Sequence, residues 1–283
     1  MPDVLSRNRI EAKPGMQLPN GLFSVATIVS VTDPHDELGV NWRPLSCGVA
    51  GITGWCIPVG DDQLERYPEL DNAKTFNTPD EKSSPPVVVY AGVECAAIGF
   101  PFEEAVARTR SILNVGEQAA LERWTWGLLQ DEATDVTSAV GDQSVVGRLS
   151  DLEAALATIY PGVGVVHVPI ALASYMASHG LLKQDGTKLR TFSGHLVSIG
   201  SGYPITSPDN TDPSDGQAWM MISGPVTVRQ GTVMDVPSER QSVRTSSNDR
   251  LVLTERTNVV QVECGAFAAL VNKECCSSDA ALS

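Results

Sequence analysis

The sequence predicts an α+β fold built around one long helix, and three observations lead to this prediction. Phe102–Asp131 has apolar residues at helical spacing and contains no proline, and short β-branched runs before and after it indicate strands. Two long polar or Gly- and Pro-rich stretches precede the helix. Because 42% of the 283 residues are hydrophobic, the composition is that of a folded globular protein. We therefore expect a globular body with two long extensions.

The first 57 residues are rich in Gly and Pro and predict an extended arm. One strand is expected at Leu22–Val31, where β-branched residues are dense. Trp42 and Trp55 lie in turn-rich surroundings. We predict that these two indoles anchor the arm on another surface.

The stretch Pro58–Pro86 is the most polar part of the N-terminal half, and the strand-like run Val87–Val93 follows it. If Lys74–Asn77 pairs with Val87–Val93, the region is a protruding β-hairpin. An isolated hairpin is marginally stable in water, so we expect this one to lie on a neighbouring molecule. The side chains predicted to make these contacts are Tyr67, Lys74, Phe76 and Lys82.

The stretch Phe102–Asp131 predicts a helix roughly 45 Å long, at about 1.5 Å per residue. Gly116 is a position where it could kink or divide. Trp124 and Trp126 are two positions apart and so point to different faces of the helix. One of them must leave the face that packs on the rest of the chain, and we predict that Trp126 contacts another subunit.

The second half predicts short helices and strands. A helix is expected from Ser150, as its capping residue, to Tyr160. Gly200–Gly216 is expected to be a loop. The remaining predicted elements are a strand at Val163–Val168, a helix at Ile170–His179 that stops at Gly180, strands at Leu196–Ile199, Trp219–Ile222 and Val226–Val228, and a closing hairpin of Leu251–Glu255 with Val259–Cys264.

The charge balance argues against a nucleic-acid-gripping surface. With 34 acidic and 20 basic residues the formal net charge is -14, and no basic patch is present to neutralise phosphates. No run reaches the roughly 18 to 20 apolar residues of a membrane span, and no secretory signal is recognisable at the N-terminus. We expect no membrane association.

No convincing catalytic, cofactor-binding or metal-binding set emerges. The four histidines are not at metal-ligand spacing, and no phosphate-binding glycine loop is present. Gly200-Ser201-Gly202 has part of a nucleophile elbow, but Tyr203-Pro204 follows where a helix is required. We predict a non-enzymatic protein without cofactors, and a hydrolase using Ser201 and His195 is the alternative.

The cysteines match no zinc or redox motif. We expect buried or unreactive thiols in a reducing cytosol, with a Cys47–Cys56 bridge formed after cell lysis as the alternative. The six positions are Cys47, Cys56, Cys95, Cys264, Cys275 and Cys276.

The order of these elements resembles the tailed-phage major capsid protein family, whose Hong Kong 97 type coat fold is shared with encapsulins. The motifs are similar to those of virion structural proteins from phages of actinobacteria. The segments that support the resemblance are Val88–Val93, Gly116-Glu117, Leu121–Trp124, Tyr160–Gly162, Val165–Pro169 and Gly200–Pro204.

The resemblance implies an N-terminal arm, an extended hairpin loop, a peripheral domain with a long spine helix, an axial domain and a flexible tail. In that order, the expected boundaries are 1–57 for the arm, 58–93 for the hairpin loop, 94–148 with 224–271 for the peripheral domain, 149–223 for the axial domain and 272–283 for the tail. Lys183, Asp185 and Lys188 would then contact other subunits near a symmetry axis.

The resemblance also implies a function. Such a chain would self-assemble into pentamers and hexamers of an icosahedral virion shell that encloses double-stranded DNA without sequence-specific binding. It would be made in the host cytoplasm, and a separate scaffolding protein, a portal and decoration proteins are the further partners that the family allows. A minor head or head-to-tail connector protein and an encapsulin-like compartment shell are the alternatives.

Overall fold

The computed structural model describes residues 13–33, 35–51, 80–138 and 143–273. Its long helix packs against two β-sheets, and a second hydrophobic core lies on the far side of the larger sheet. Within these ranges the α-helices are α1 (Leu22–Val25), α2 (Phe102–Glu132), α3 (Val145–Ile159) and α4 (Ile170–Ser178).

The first sheet has six strands and is organised by its longest one. That strand, β14, pairs with β4 along one edge and with β11, β12 and β13 along the other. The six strands are β1 (Thr27–Ser30), β4 (Pro86–Ala96), β11 (Val226–Gln230), β12 (Met234–Val236), β13 (Val243–Arg244) and β14 (Asp249–Val262).

The second sheet has seven strands and is buried at its centre on both faces. In order across the sheet they are β5 (Ala133–Asp135), β15 (Ala266–Asn272), β10 (Gln217–Ser223), β6 (Val165–Pro169), β9 (Leu196–Gly200), β8 (Lys188–Arg190) and β7 (Lys183–Asp185). A separate two-stranded ladder joins β2 (Val40–Trp42) to β3 (Lys82–Ser84).

Strand β10 shows why the second sheet separates two cores. Trp219 and Met221 face the core shared with helix α2, whereas Met220 and Ile222 face the core shared with helices α3 and α4. Successive side chains of a strand point to opposite faces. A strand buried on both faces therefore reads as a continuous apolar run, which is how this one appears in the sequence.

The long helix is confirmed: it begins at the predicted residue and ends one residue later than predicted. Gly116 does not divide it. Its buried positions recur every four residues, as one face of a helix requires: Ala105, Thr109, Leu113, Glu117, Leu121, Thr125 and Leu129, with Gln118, Glu122 and Trp126 beside them. Helix α4 and its stop at Gly180, with φ of +64°, and strands β6, β9, β10 and β11 also follow the prediction closely.

The prediction for Leu22–Val31 is partly wrong. The segment begins with helix α1, and only Thr27–Ser30 form a strand. Leu22 and Val25 are three positions apart on the helix and both are buried in the core around α2. This part of the arm therefore belongs to the subunit's own core.

One predicted hairpin is wrong, and the other stays a prediction. Val87–Val93 pairs with β14 along one edge, and Lys74–Asn77, its predicted hairpin partner, lies outside the described residues. The expected closing hairpin of Leu251–Glu255 and Val259–Cys264 is one continuous strand through Val262, because partners on both edges keep the backbone extended.

Two further differences concern the C-terminal half. The N-cap of helix α3 lies six residues before the predicted one, because the Ser144 hydroxyl, and not that of Ser150, accepts hydrogen bonds from the first turn. Strand β15 belongs to the seven-stranded sheet, although the sequence groups it with the peripheral domain. The expected domain boundaries remain predictions. The chain passes from one sheet to the other at Ser223–Val226 and again at Val262–Ala266.

The loop after β9 contacts helix α2 closely. Gly202 is buried against the Ala119 carbonyl, and a Cβ at this position would overlap that oxygen. A helix backbone cannot yield as a flexible side chain can. The Gly-Ser-Gly segment therefore has a packing role.

None of the helices in the described ranges has the length and apolar character of a membrane span.

We predict that Gly202→Ala lowers the free energy of unfolding by roughly 3 kcal/mol, because overpacking against backbone forces the loop and the helix apart. Gly116→Ala is the control. Gly116 is exposed on the same helix with open space around it, so the change should stabilise by about 0.5–1 kcal/mol. Urea unfolding of the monomeric chain measures both changes in stability, and equal effects of the two substitutions would contradict the contact between Gly202 and Ala119.

Candidate subunit-interface surfaces and the junction behind them

An apolar groove runs between strand β4 and helix α2. It has a volume of about 320 Å³. Two of its lining residues on β4 are largely open to solvent, Val88 at 50% and Tyr90 at 68% exposure, and their side chains alternate with those of Val87 and Val89, which face the core. The lining residues are Val87, Val88, Val89, Tyr90, Ala120, Arg123, Trp124 and Gly127. An open apolar groove of this kind is typical of a surface that another chain covers.

The wall of the groove contains one polar group of Trp124, its indole N–H. Its indole nitrogen is buried and has no hydrogen-bond acceptor in the described part of the chain. A buried N–H without an acceptor costs free energy. The indole nitrogens of Trp42 and Trp126 are likewise buried without an acceptor in the described residues.

The prediction for Trp126 is wrong. Its side chain is 0% exposed and contacts Tyr203 inside the core, with ring centroids 5.7 Å apart. No part of the ring is available to another subunit. Trp124 is the less buried of the two tryptophans, and it packs against the same core.

Two predicted contact residues lie side by side. Trp42 on β2 pairs with Lys82 on β3. The Lys82 ammonium is 2.6 Å from Glu132 Oε2 and donates to the Val262 carbonyl at 3.3 Å. Lys82 therefore holds the β2–β3 ladder to the subunit's own helix and sheet. The other predicted arm and hairpin contacts, Trp55, Tyr67, Lys74 and Phe76, lie outside the described residues.

The charged residues predicted near a symmetry axis share the hairpin at the outer edge of the seven-stranded sheet. Lys183 and Asp185 are exposed on β7, and Lys188 is on β8. The Asp185 carboxylate is 2.7 Å from Arg190 Nε. Their contacts with other subunits stay predictions.

Behind the groove, Glu122 joins three parts of the chain. It projects from helix α2, and its two carboxylate oxygens accept hydrogen bonds from the Leu22 N–H at 3.1 Å and the Gly202 N–H at 2.8 Å. Its side chain is fully buried. Burial raises the pKa of the Glu122 carboxyl above its ordinary value, and the two N–H groups oppose that rise.

Glu117 makes a second buried connection, between helix α2 and strand β14. It accepts from Arg256 Nη1 at 3.0 Å and from Asn258 Nδ2 at 3.3 Å. Desolvation raises the pKa of Glu117, against the opposing effect of Arg256. Together the two carboxylates connect the helix to β14, to the arm and to the loop after β9.

A neutral polar network lies beside this junction. The ring nitrogens of His167 bond the Tyr203 hydroxyl at 3.1 Å and the Ser223 hydroxyl at 2.9 Å. Complete burial lowers the pKa of His167 to about 3. The imidazole is thus neutral at physiological pH and serves as a structural connection within the seven-stranded sheet.

The alternative of a hydrolase gains no support from the geometry. Ser201 is exposed, and His195 Nδ1 accepts the Gly164 N–H at 2.9 Å. Within the described residues no hydrogen bond joins Ser201 to His195. The same ranges contain no group of three or more His, Cys, Asp or Glu side chains suited to a metal ion.

The expectation of unreactive thiols is wrong for two cysteines. Cys47 and Cys264 form a disulfide, and the alternative Cys47–Cys56 pairing is therefore wrong as well. Residues 217 positions apart become neighbours only in the folded chain, so spacing could not reveal the pair. Cys95 is a free, partly buried thiol.

Sequence reasoning missed Glu117 and Glu122, although a signal was present. Glu117 lies four residues after Leu113 and four before Leu121, both of which are buried. A carboxylate in register with an apolar stripe is expected to be buried and paired. Nothing in the sequence shows which N–H groups would satisfy Glu122.

Comparisons with known proteins define the class of fold. No protein-family model matches the chain, and no curated protein matches it. Among solved structures, the chain is similar to the capsid of Ralstonia phage GP4, with 9% identity, 96% of each chain covered and a TM-score of 0.51. It is also similar to the capsid of an empty GTA particle, with 14% identity, 93% of this chain and 100% of that chain covered, and a TM-score of 0.51.

A structure from Mycobacterium phage Che8 is similar over 95% of this chain and 96% of that chain, with 13% identity and a TM-score of 0.50. These likenesses confirm the fold expected from the resemblance. The chain has the α+β major capsid fold of tailed phages over nearly its whole length.

We predict that Glu122→Gln lowers the free energy of unfolding by about 1–3 kcal/mol at pH 7, because one of the two N–H groups would face an amide NH₂. Since the pKa of Glu122 is raised in the folded state, the native protein binds the proton more readily than the unfolded chain. The stability of the wild type relative to Glu122→Gln should therefore increase as the pH falls from 7 towards 4.5. Denaturant unfolding at several pH values measures this difference.

The control is Glu103→Gln, an exposed position in the first turn of the same helix. It should change stability by less than about 0.5 kcal/mol. A stability difference between wild type and Glu122→Gln that does not vary with pH would contradict the assignment.

Proposed function

We propose that this chain is the shell subunit of an icosahedral capsid and that it assembles with copies of itself into hexamers and pentamers. The observation that carries the proposal is the similarity to the capsids of Ralstonia phage GP4 and the GTA particle across more than nine-tenths of both chains. A fold shared from one end to the other includes the elements that a shell requires for contacts.

The groove between β4 and α2 supports assembly. Its open apolar surface, together with the Trp124 N–H that lacks an acceptor in the described residues, fits cover by a second copy. Interfaces that close into rings bury well over about 1,000 Å² per contact, and many such contacts make a shell cooperative. Contacts through Trp42, Trp55, Tyr67, Lys74 and Phe76, and through Lys183, Asp185 and Lys188, are part of the same proposal.

The net charge supports the enclosure of double-stranded DNA without tight binding. With a formal net charge of -14, the chain would not grip phosphates, and counterions would screen the repulsion within about a Debye length. We infer a non-enzymatic, structural role in the virion after synthesis in the host cytoplasm. A scaffolding protein, a portal and decoration proteins remain the further proposed partners.

We predict that the chain expressed alone forms closed shells or their hexamer and pentamer units under reducing conditions. Size-exclusion chromatography with light scattering, followed by negative-stain microscopy, measures this outcome. A single ring size without curved shells would favour a connector protein. A compact monomer at high concentration would contradict both functions.

We predict that Tyr90→Asp prevents shell formation while the subunit stays folded, because a charge would be buried in the apolar groove. Tyr90 is mostly exposed in the subunit, so its melting temperature should hardly change. Tyr90→Phe keeps the ring and should assemble normally. Normal shells from Tyr90→Asp would show that the groove is not an interface.

A further inference from the structure

The Cys47–Cys264 disulfide joins the arm to the turn between the two sheets. Strand β14 of the six-stranded sheet ends at Val262, and β15 of the seven-stranded sheet begins at Ala266. Cys264 and Gly265 form the turn with φ of 57° and 75°. The bridge therefore fastens the arm where the chain crosses from one sheet to the other.

A second contact places the arm at the same point. The Gly48 N–H donates to the carbonyl of Ile159, the last residue of helix α3, at 2.7 Å. Gly265 lies beside the Ile159 side chain. The arm is thus held against the inter-sheet turn and the end of α3, by one covalent bond and one backbone hydrogen bond.

The two bridged cysteine residues differ in access to solvent. Cys47 is partly exposed, whereas Cys264 is 5% exposed. A partly exposed thiol beside a buried one suits a two-step exchange in which the exposed thiol reacts first.

We propose that Cys47 and Cys264 form a redox-controlled clamp. The thiols are free while the chain is in a reducing cytosol, and the bond closes when the protein reaches an oxidising medium. This timing rests on the proposed function, in which subunits assemble in a cell and the particle leaves it. The open clamp would leave the segment around Cys47 without its covalent attachment during assembly, and the closed bond would fix that segment afterwards.

The oxidant is a low-molecular-weight disulfide, and the exchange balances in two steps. The Cys47 thiolate attacks one sulfur of that disulfide, which breaks its S–S bond and releases one small thiolate. The Cys264 thiolate then attacks the Cys47 sulfur of the mixed disulfide and releases the second small thiolate. The two protein thiols lose two protons and two electrons, and the small disulfide is reduced to two thiols.

The first test measures pairing. Cells expressing the full chain are treated with N-ethylmaleimide before lysis, and a second sample is purified and incubated with glutathione disulfide. Peptide mapping by mass spectrometry without reductant should show alkylated Cys47 and Cys264 in cells and a Cys47–Cys264 peptide after oxidation. A bridge already closed in cells, a different pairing of Cys47, or two persistent thiols would each overturn the proposal.

The second test measures the consequence. The oxidised wild type should melt on the order of 5 °C higher than the same protein in reductant, and the arm should be cleaved more slowly by a protease. Cys47→Ser should melt like the reduced wild type under both conditions. Cys95→Ser is the matched control, because Cys95 is outside the bridge, and it should keep the redox-dependent difference.

The two wild-type measurements need no substitution, so the test stands even if a variant fails to fold. Equal melting temperatures and equal cleavage with the bridge open and closed would overturn the clamp. Because both readouts use the subunit, they are independent of shell formation. If the chain forms shells but the disulfide has no effect on melting or cleavage, only the clamp is contradicted. If the disulfide has these effects but no shells form, only the proposed function is contradicted.

Discussion

The polar side chains that helix α2 buries must find partners on other parts of the chain, and the rest of the structure depends on this constraint. The Glu122 carboxylate accepts hydrogen bonds from backbone N–H groups of the arm and of the loop after β9. The Glu117 carboxylate accepts hydrogen bonds from the side chains of Arg256 and Asn258 on β14. A buried carboxylate without such donors would cost several kcal/mol. The arm, the loop and the six-stranded sheet are therefore positioned relative to one helix by hydrogen bonds that tolerate little displacement.

This internal rigidity contrasts with the outer surface. The groove beside β4 leaves Val88 and Tyr90 open and an indole N–H without an acceptor in the described residues. A helix that is satisfied on one face and incomplete on the other suits a subunit whose remaining apolar surface is covered by copies of itself. The function we propose resides in these surfaces, and the buried polar groups keep them in place.

The interface residues were predictable only in part. The spacing of Trp124 and Trp126 predicts that one ring leaves the core, whereas both pack against it, and Trp126, which contacts Tyr203, is the more deeply buried. Gly200-Ser201-Gly202 attracts attention as a catalytic motif, whereas its glycines serve the close approach to Glu122 and Ala119. A glycine-rich motif in the sequence indicates that the backbone needs small residues there. It does not show which part of the folded chain packs against those residues.

The amino-acid sequence by itself determined the long helix, helix α4 with its glycine stop, the central strands of the second sheet and the acidic charge, because periodicity, capping and composition are local properties. Only the tertiary structure decided that β14 is one strand between two edges, that Leu22 belongs to the core, and that Cys47 meets Cys264. Each of these features joins residues far apart in the chain. Their pairing is selected by the packing of the whole subunit, since no short segment contains both partners.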